Sequence, residues 1–119
     1  MSAEFAVREE ALDAGRHLVA VRGEIDLFTA PELKAVLAEA FEAGHTRVVV
    51  DLAETTFLDS TALGVLIGAV KRLRAHEGAL AIVNVDENIA KTFEITGLDQ
   101  VFTIFPTREE ALKALEPAV

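Results

Sequence analysis

The chain has 119 residues, 51% of them hydrophobic, with a formal net charge of −9 and no cysteine, tryptophan or tyrosine. That length suits one domain around one core, the missing cysteines exclude disulfide and thiolate chemistry, and the acidic balance opposes direct nucleic-acid binding, which needs clustered Lys and Arg. The longest apolar run, residues 62–70, falls far short of the roughly 20 residues a bilayer requires, and no basic-then-apolar segment opens the chain. The expectation is a soluble cytoplasmic protein without membrane insertion.

Residues 5–10 and 18–22 read as strands flanking the turn-rich Asp13-Ala-Gly15, an initial hairpin. Thr29-Ala-Pro-Glu32 then supplies a capping box with proline in the first turn, and Leu33, Val36, Leu37, Ala40 and Phe41 share one helical face before Gly44. Residues 48–52 form a buried strand, residues 53–56 a short polar turn, and residues 61–77 a helix closed by Gly78. Within that helix Gly64 and Gly68 are expected to permit close packing against the sheet. Lys71-Arg-Leu-Arg74 falls in its last turns, where cations complement the carbonyl end of the dipole.

Residues 79–83 form a short strand, bounded by Gly78 and Asn84-Val-Asp86. A third helix over residues 87–96 carries Ile89, Phe93 and Ile95 and stops at Gly97. Residues 102–105 make the last strand, and Thr107-Arg-Glu-Glu110 is a second capping box opening the final helix. The order β-β-α-β-α-β-α-β-α predicts a single α/β domain over residues 1–119, with a mixed, mainly parallel sheet after an antiparallel start and most of about four helices on one face. Periodicity leaves the strand order open.

Catalytic constellations are missing from the sequence. His17, His45 and His76 fall in different elements at spacings that match no metal site, and read as surface or strand-end residues. Neither phosphate-binding glycine pattern occurs, and Ser60 lacks the G-x-S-x-G frame of a hydrolase nucleophile. The chain is therefore expected not to be an enzyme, and to use no cofactor or metal.

Asp59 has the side chain of a helix N-cap, which leaves Ser60 and Thr61 in a first turn whose N–H groups have no partner inside the helix. A phosphate there adds about −1.5 to −2 charge, partly offset by the positive end of the helix dipole, so modification changes the surface without unfolding the domain. In open α/β sheets this strand-to-helix rim is where ligands and partners are met. Glu24 and Asp26, at the exit of the second strand, fall on the same rim as Asp59 and make an acidic patch that would orient a partner. The other reading of Asp26 is a cap for the turn before the first helix. A basic protein partner suits this surface better than DNA or RNA.

These residues carry a resemblance. Gly23-Glu24-Ile-Asp26 followed by Thr29-Ala, then Val48-Val-Val-Asp-Leu52, and above all Phe57-Leu-Asp59-Ser60-Thr61-Ala62-Leu-Gly64-Val-Leu, resemble the STAS domain family, in particular its stand-alone bacterial anti-sigma factor antagonists of the sporulation and general-stress type. Phe93-Glu-Ile-Thr-Gly97-Leu98 extends the likeness toward the last strand. The resemblance implies that Ser60 is phosphorylated by an anti-sigma factor that is also a serine kinase. It further implies that the unmodified chain binds that partner and frees the sigma factor, and that a serine phosphatase reverses the mark. Thr61 stands beside Ser60 as a second acceptor. The expected partner surface is Glu24, Asp26, Asp59, Ser60, Thr61, Ala62 and Gly64, on a chain that is a monomer when free.

Ala62 departs from the family motif, which usually has glycine there; alanine favours the helix, and a methyl at a rim that meets a kinase would alter partner choice or slow phosphorylation. Two other functions fit the sequence less directly. One is a phosphorylation-independent STAS subunit of a transporter or sensory complex. The other is a nucleotide-binding protein, for which no phosphate loop is present.

Overall fold

The computed structural model describes residues 4–13 and 15–116. Its elements are β1 (Ala6–Asp13), β2 (Arg16–Ile25), α1 (Ala30–Glu42), β3 (Arg47–Leu58), α2 (Ser60–Ala75), β4 (Ala79–Val83), α3 (Glu87–Thr96), β5 (Thr103–Phe105) and α4 (Arg108–Ala114), with one 3-10 turn, Leu98–Gln100, before β5. The predicted order is the observed one. The strands lie side by side in chain order, β1 antiparallel to β2 and the remaining neighbours parallel. A helix joins each parallel pair because the chain must return to the edge at which the previous strand began.

Alternation along β3 divides the core in two. Val48 and Val50 point to the face covered by Leu33 and Leu37 of α1, Leu66 and Val70 of α2, and Phe93 of α3. Val49 points to the other face, where Leu18, Ala81 and Val83 meet Ala111 and Leu115 at the carboxyl end of the chain. Burial on both faces makes residues 48–50 read as an unbroken apolar run. At the edge, Arg16 grips Asp13 through Nε and Nη2, 2.6 to 3.1 Å from its carboxylate oxygens. That guanidinium holds the Asp13 carboxyl below its ordinary 3.8.

Several expectations are corrected by the structure. Residues 53–56 are strand rather than turn. β4 stops at Val83, opposite Asp51, while β2 continues beside β3 until Ile25 faces Leu58. β3 therefore has one neighbour beyond Asp51, and the buried Thr55 turns to it, its hydroxyl donating to the Val21 carbonyl of β2 at 2.8 Å. Second, α2 ends at Ala75 rather than Glu77; Glu77 takes the left-handed φ of 60° and the Gly78 N–H closes the end by donating to the Leu73 carbonyl at 2.7 Å. Gly78 is needed because a methyl on it would lie 2.3 Å from the Thr46 carbonyl oxygen.

Third, Gly64 and Gly68 do not pack on the sheet. The buried side of α2 is Ala62, Leu63, Leu66, Val70 and Leu73, so residues 64 and 68 fall on the outward side, where an added Cβ would meet nothing within 4 Å. Of the two readings of His17, surface or strand end, the structure gives the second. It is buried in β2 and stacks on His45 with ring centroids 4.5 Å apart, its Nε2 lying 3.0 Å from Glu9 Oε1. The strands of the hairpin are also longer than residues 5–10 and 18–22, and Ala14 of the expected turn lies outside the described residues. Gly97 stops α3 in the left-handed conformation as expected, and the Thr107 hydroxyl accepts from the Glu110 N–H at 3.2 Å.

Candidate functional site

The carboxyl ends of β2 and β3 are held together by a bond from the Asp59 N–H to the Ile25 carbonyl, 3.1 Å. Immediately afterwards the chain turns into α2. Asp59 is extended at its N-cap, φ −103° and ψ −176°, and its Oδ1 accepts from the Ala62 N–H at 3.0 Å. Ser60 is thus the first residue of α2, exposed, in a first turn that contains no acidic side chain. The unpaired N–H groups of that turn give the hydroxyl a setting that favours negative charge.

The β2–α1 connection forms the other bank of the rim. Here the expected Thr29 capping box is replaced by a different network. Thr29 makes no side-chain cap bond to α1; its hydroxyl accepts from the Asp26 N–H at 2.9 Å and donates to the Glu24 carbonyl at 2.8 Å. Asp26 Oδ1 does the capping instead, accepting from the N–H groups of Phe28 and Thr29 at 2.9 and 3.1 Å. Asp26 is therefore a structural residue of this loop, half-buried, whereas Glu24 is exposed on the rim.

Ser60, Asp59, Asp26 and Glu24 are brought to one rim, since Ile25 faces Leu58 and Glu24 faces Phe57 in the parallel register. Thr61 is half-buried and Gly64 exposed, both lining the cleft between α1 and α2. Ala62 does not belong to the surface: its side chain is fully buried in the core. Its methyl consequently faces inward, away from the rim.

Sequence reasoning missed the apolar part of the rim. Phe28 is 87% exposed, Leu27 63% and Phe57 49%, next to Ser60 and the acidic residues in the chain and in register. Exposed aromatic and aliphatic side chains gathered on one edge mark an interaction surface. The available signal was Leu27-Phe28 itself, an apolar pair between a capping Asp and a Thr, in a loop with neither helical nor strand period.

An exposed hydroxyl at a helix start thus shares a rim with acidic and exposed apolar side chains, the make-up of an interaction surface. Comparison with known proteins gives the family. The family model described as the STAS domain matches residues 9–111, and the chain belongs to that family. It is similar to the anti-sigma-B factor antagonist of Staphylococcus epidermidis, 40% identical over 86 residues, covering 72% of this chain and 80% of the relative. Among solved structures, an anti-sigma factor antagonist from Mycobacterium paratuberculosis superposes with a TM-score of 0.88 at 31% identity, over 97% of this chain and 98% of that one. The Bacillus cell fate determinant SpoIIAA in its phosphorylated form shares the fold, with a TM-score of 0.74 and 23% identity over 93% of this chain and all of the other. These relatives are regulators rather than enzymes. Among the described residues, no helix is long and apolar enough to cross a membrane.

Proposed function

We propose that this chain is a cytoplasmic anti-sigma factor antagonist that switches partners through Ser60. Unphosphorylated, it binds an anti-sigma factor that is also a serine kinase and so releases a sigma factor; phosphorylated on Ser60 it lets go, until a serine phosphatase restores it. The observation that carries this is the place of Ser60, exposed at the start of α2 on the rim formed by the ends of β2 and β3, where Asp59, Glu24 and the exposed Phe57 also lie and the Leu27-Phe28 loop begins. Thr61 is the poorer acceptor because it is half-buried against the cleft between α1 and α2. Burying an unpaired dianion in an interface costs several kcal/mol, and about 4 kcal/mol weakens binding roughly a thousandfold. ATP and Mg²⁺ for the transfer belong to the kinase, so the chain itself takes no cofactor.

Two measurements on the full chain test this. Intact-mass and fragment analysis of protein from its own cells should find a phosphatase-sensitive phosphate on Ser60 that Ser60→Ala lacks. Affinity capture should recover an anti-sigma factor with the unmodified chain and lose it with Ser60→Asp. If no phosphate appears across growth and stress conditions, and Ser60→Asp retains the same partners, the chain is instead a phosphorylation-independent subunit of a larger complex.

A further inference from the structure

One cavity of the described residues extends away from the rim, which it meets at Thr61 and Gly64. It is a cleft of about 630 Å³ between α1 and α2, open to solvent along one side. Its floor is the buried Val48, Leu37 and Leu73, and its sides are Gly64, Gly68, Ala38 and Val65. Apart from Thr61 at one end, the polar side chains in its lining are two cations, Lys34 and Arg72. Such a volume, with apolar walls and a few placed polar groups, is that of a small-molecule site.

Two features identify the chemistry of an occupant. The first is space kept at a cost: glycine at two helix-interior positions weakens α2, yet the fold does not need either, since a Cβ at 64 or 68 meets nothing within 4 Å. The second is charge. In a chain of net charge −9, Lys34 and Arg72 make no ion pair among the described residues, and Arg72 is held in position over the Phe41 ring, 4.1 Å from its centroid. From Thr61 to Arg72 the cleft runs along about 16 Å of helix, the reach of a saturated chain of a dozen or so carbons.

We propose that this cleft binds a free long-chain carboxylic acid, its hydrocarbon chain lying over Gly64 and Gly68 and its carboxylate paired with Arg72. Lys34 adds a second positive charge from the opposite wall, on α1. The proposal is independent of the role of Ser60.

The test is titration of the isotopically labelled full chain with dodecanoate, followed by NMR. Saturable one-to-one binding is expected, with the largest amide shifts at Gly64 and Gly68. Affinity should fall two- to fourfold for each methylene removed through decanoate and octanoate. Gly68→Leu fills the cleft and should weaken binding at least tenfold, and Ala38→Leu does the same from the opposite wall should the first variant not fold. Arg72→Gln should weaken dodecanoate several-fold while leaving dodecanol unchanged. Absence of saturable binding, shifts centred elsewhere, or equal affinity in a folded cleft-filled variant would overturn the proposal. Equal affinity for dodecanoate and dodecanol would overturn the role given to Arg72.

Discussion

Three glycines around α2 should respond to alanine with opposite signs. At Gly64 and Gly68 the new methyl meets nothing within 4 Å, and neither residue has a left-handed φ. The gain is then the helix propensity difference, about 0.8–1 kcal/mol at each position. For 119 residues, an unfolding entropy of about 250 cal/mol/K converts 1 kcal/mol into roughly 4 °C. Each single variant should melt about 3–4 °C higher, and the double variant about 7 °C higher. At Gly78 the methyl would lie 2.3 Å from the Thr46 carbonyl oxygen and 3.1 Å from that of Leu73, so the backbone entering β3 or β4 must move. Forced overpacking of that kind costs about 1–3 kcal/mol, and Gly78→Ala should melt 4 °C or more below the parent. Thermal and urea unfolding followed by circular dichroism decides the matter. Loss of stability in Gly64→Ala or Gly68→Ala would mean that these glycines serve packing after all, and that the cleft is not open space.

Four further outcomes follow from single contacts. Arg108 pairs with the buried Asp51, whose other acceptor bond is from the Ala53 N–H at 2.8 Å, so Arg108→Ala should cost about 2 kcal/mol in urea unfolding and Arg108→Lys less. Phe28 is 87% exposed; Phe28→Ala should leave the melting temperature within about 1 °C yet weaken capture of the partner by about 2 kcal/mol, some thirtyfold. Glu77 holds a left-handed φ of 60°, and Glu77→Gly should stabilise by up to about 1 kcal/mol in the same unfolding assay. Asp13 should titrate below 3.8 by NMR and return to its ordinary value in Arg16→Gln. Because its folded value is depressed, the small stabilisation from this exposed pair is fully present above 3.8 and fades as pH falls through the folded value.

The element order was legible because each helix and each buried strand carries its own period, and the Asp59-Ser60 motif because capping chemistry fixes where α2 begins. Less legible were features that depend on a neighbour remote in sequence. The polar stretch at residues 53–56 reads as a turn until β2 is seen to continue beside it without β4. Gly78 reads as a helix stop, but its reason is the Thr46 carbonyl, thirty-odd residues earlier. Thr29 and Asp26 compete for the same cap, and which one wins depends on the Glu24 carbonyl that the Thr29 hydroxyl meets. Ala62 lies in the middle of the surface motif in sequence, yet the helical turn after Asp59 directs its methyl to the core. Sequence adjacency to a functional residue does not decide which way a helical side chain faces.

The placement of Ser60 separates the fold's response to a charge from the partner's response. A phosphate on the first residue of α2 would gain about 0.3–1 kcal/mol from the helix terminus. It would lose a comparable amount to Asp59, since a charge of about −1.5 to −2 and a carboxylate about 6 Å apart in water repel by roughly 1 kcal/mol. These contributions nearly cancel, and Asp59 remains tied to the Ala62 N–H, so the domain has little cause to reorganise. Within an interface the water that screens those charges is removed, and the same phosphate faces Glu24, Asp26 and Asp59 together with the apolar Phe28 and Phe57. None of these groups can pair with it. On the proposed role of Ser60, a modification almost neutral for the folded chain would thereby become severe for the complex, and one hydroxyl would control association without a conformational change in the domain.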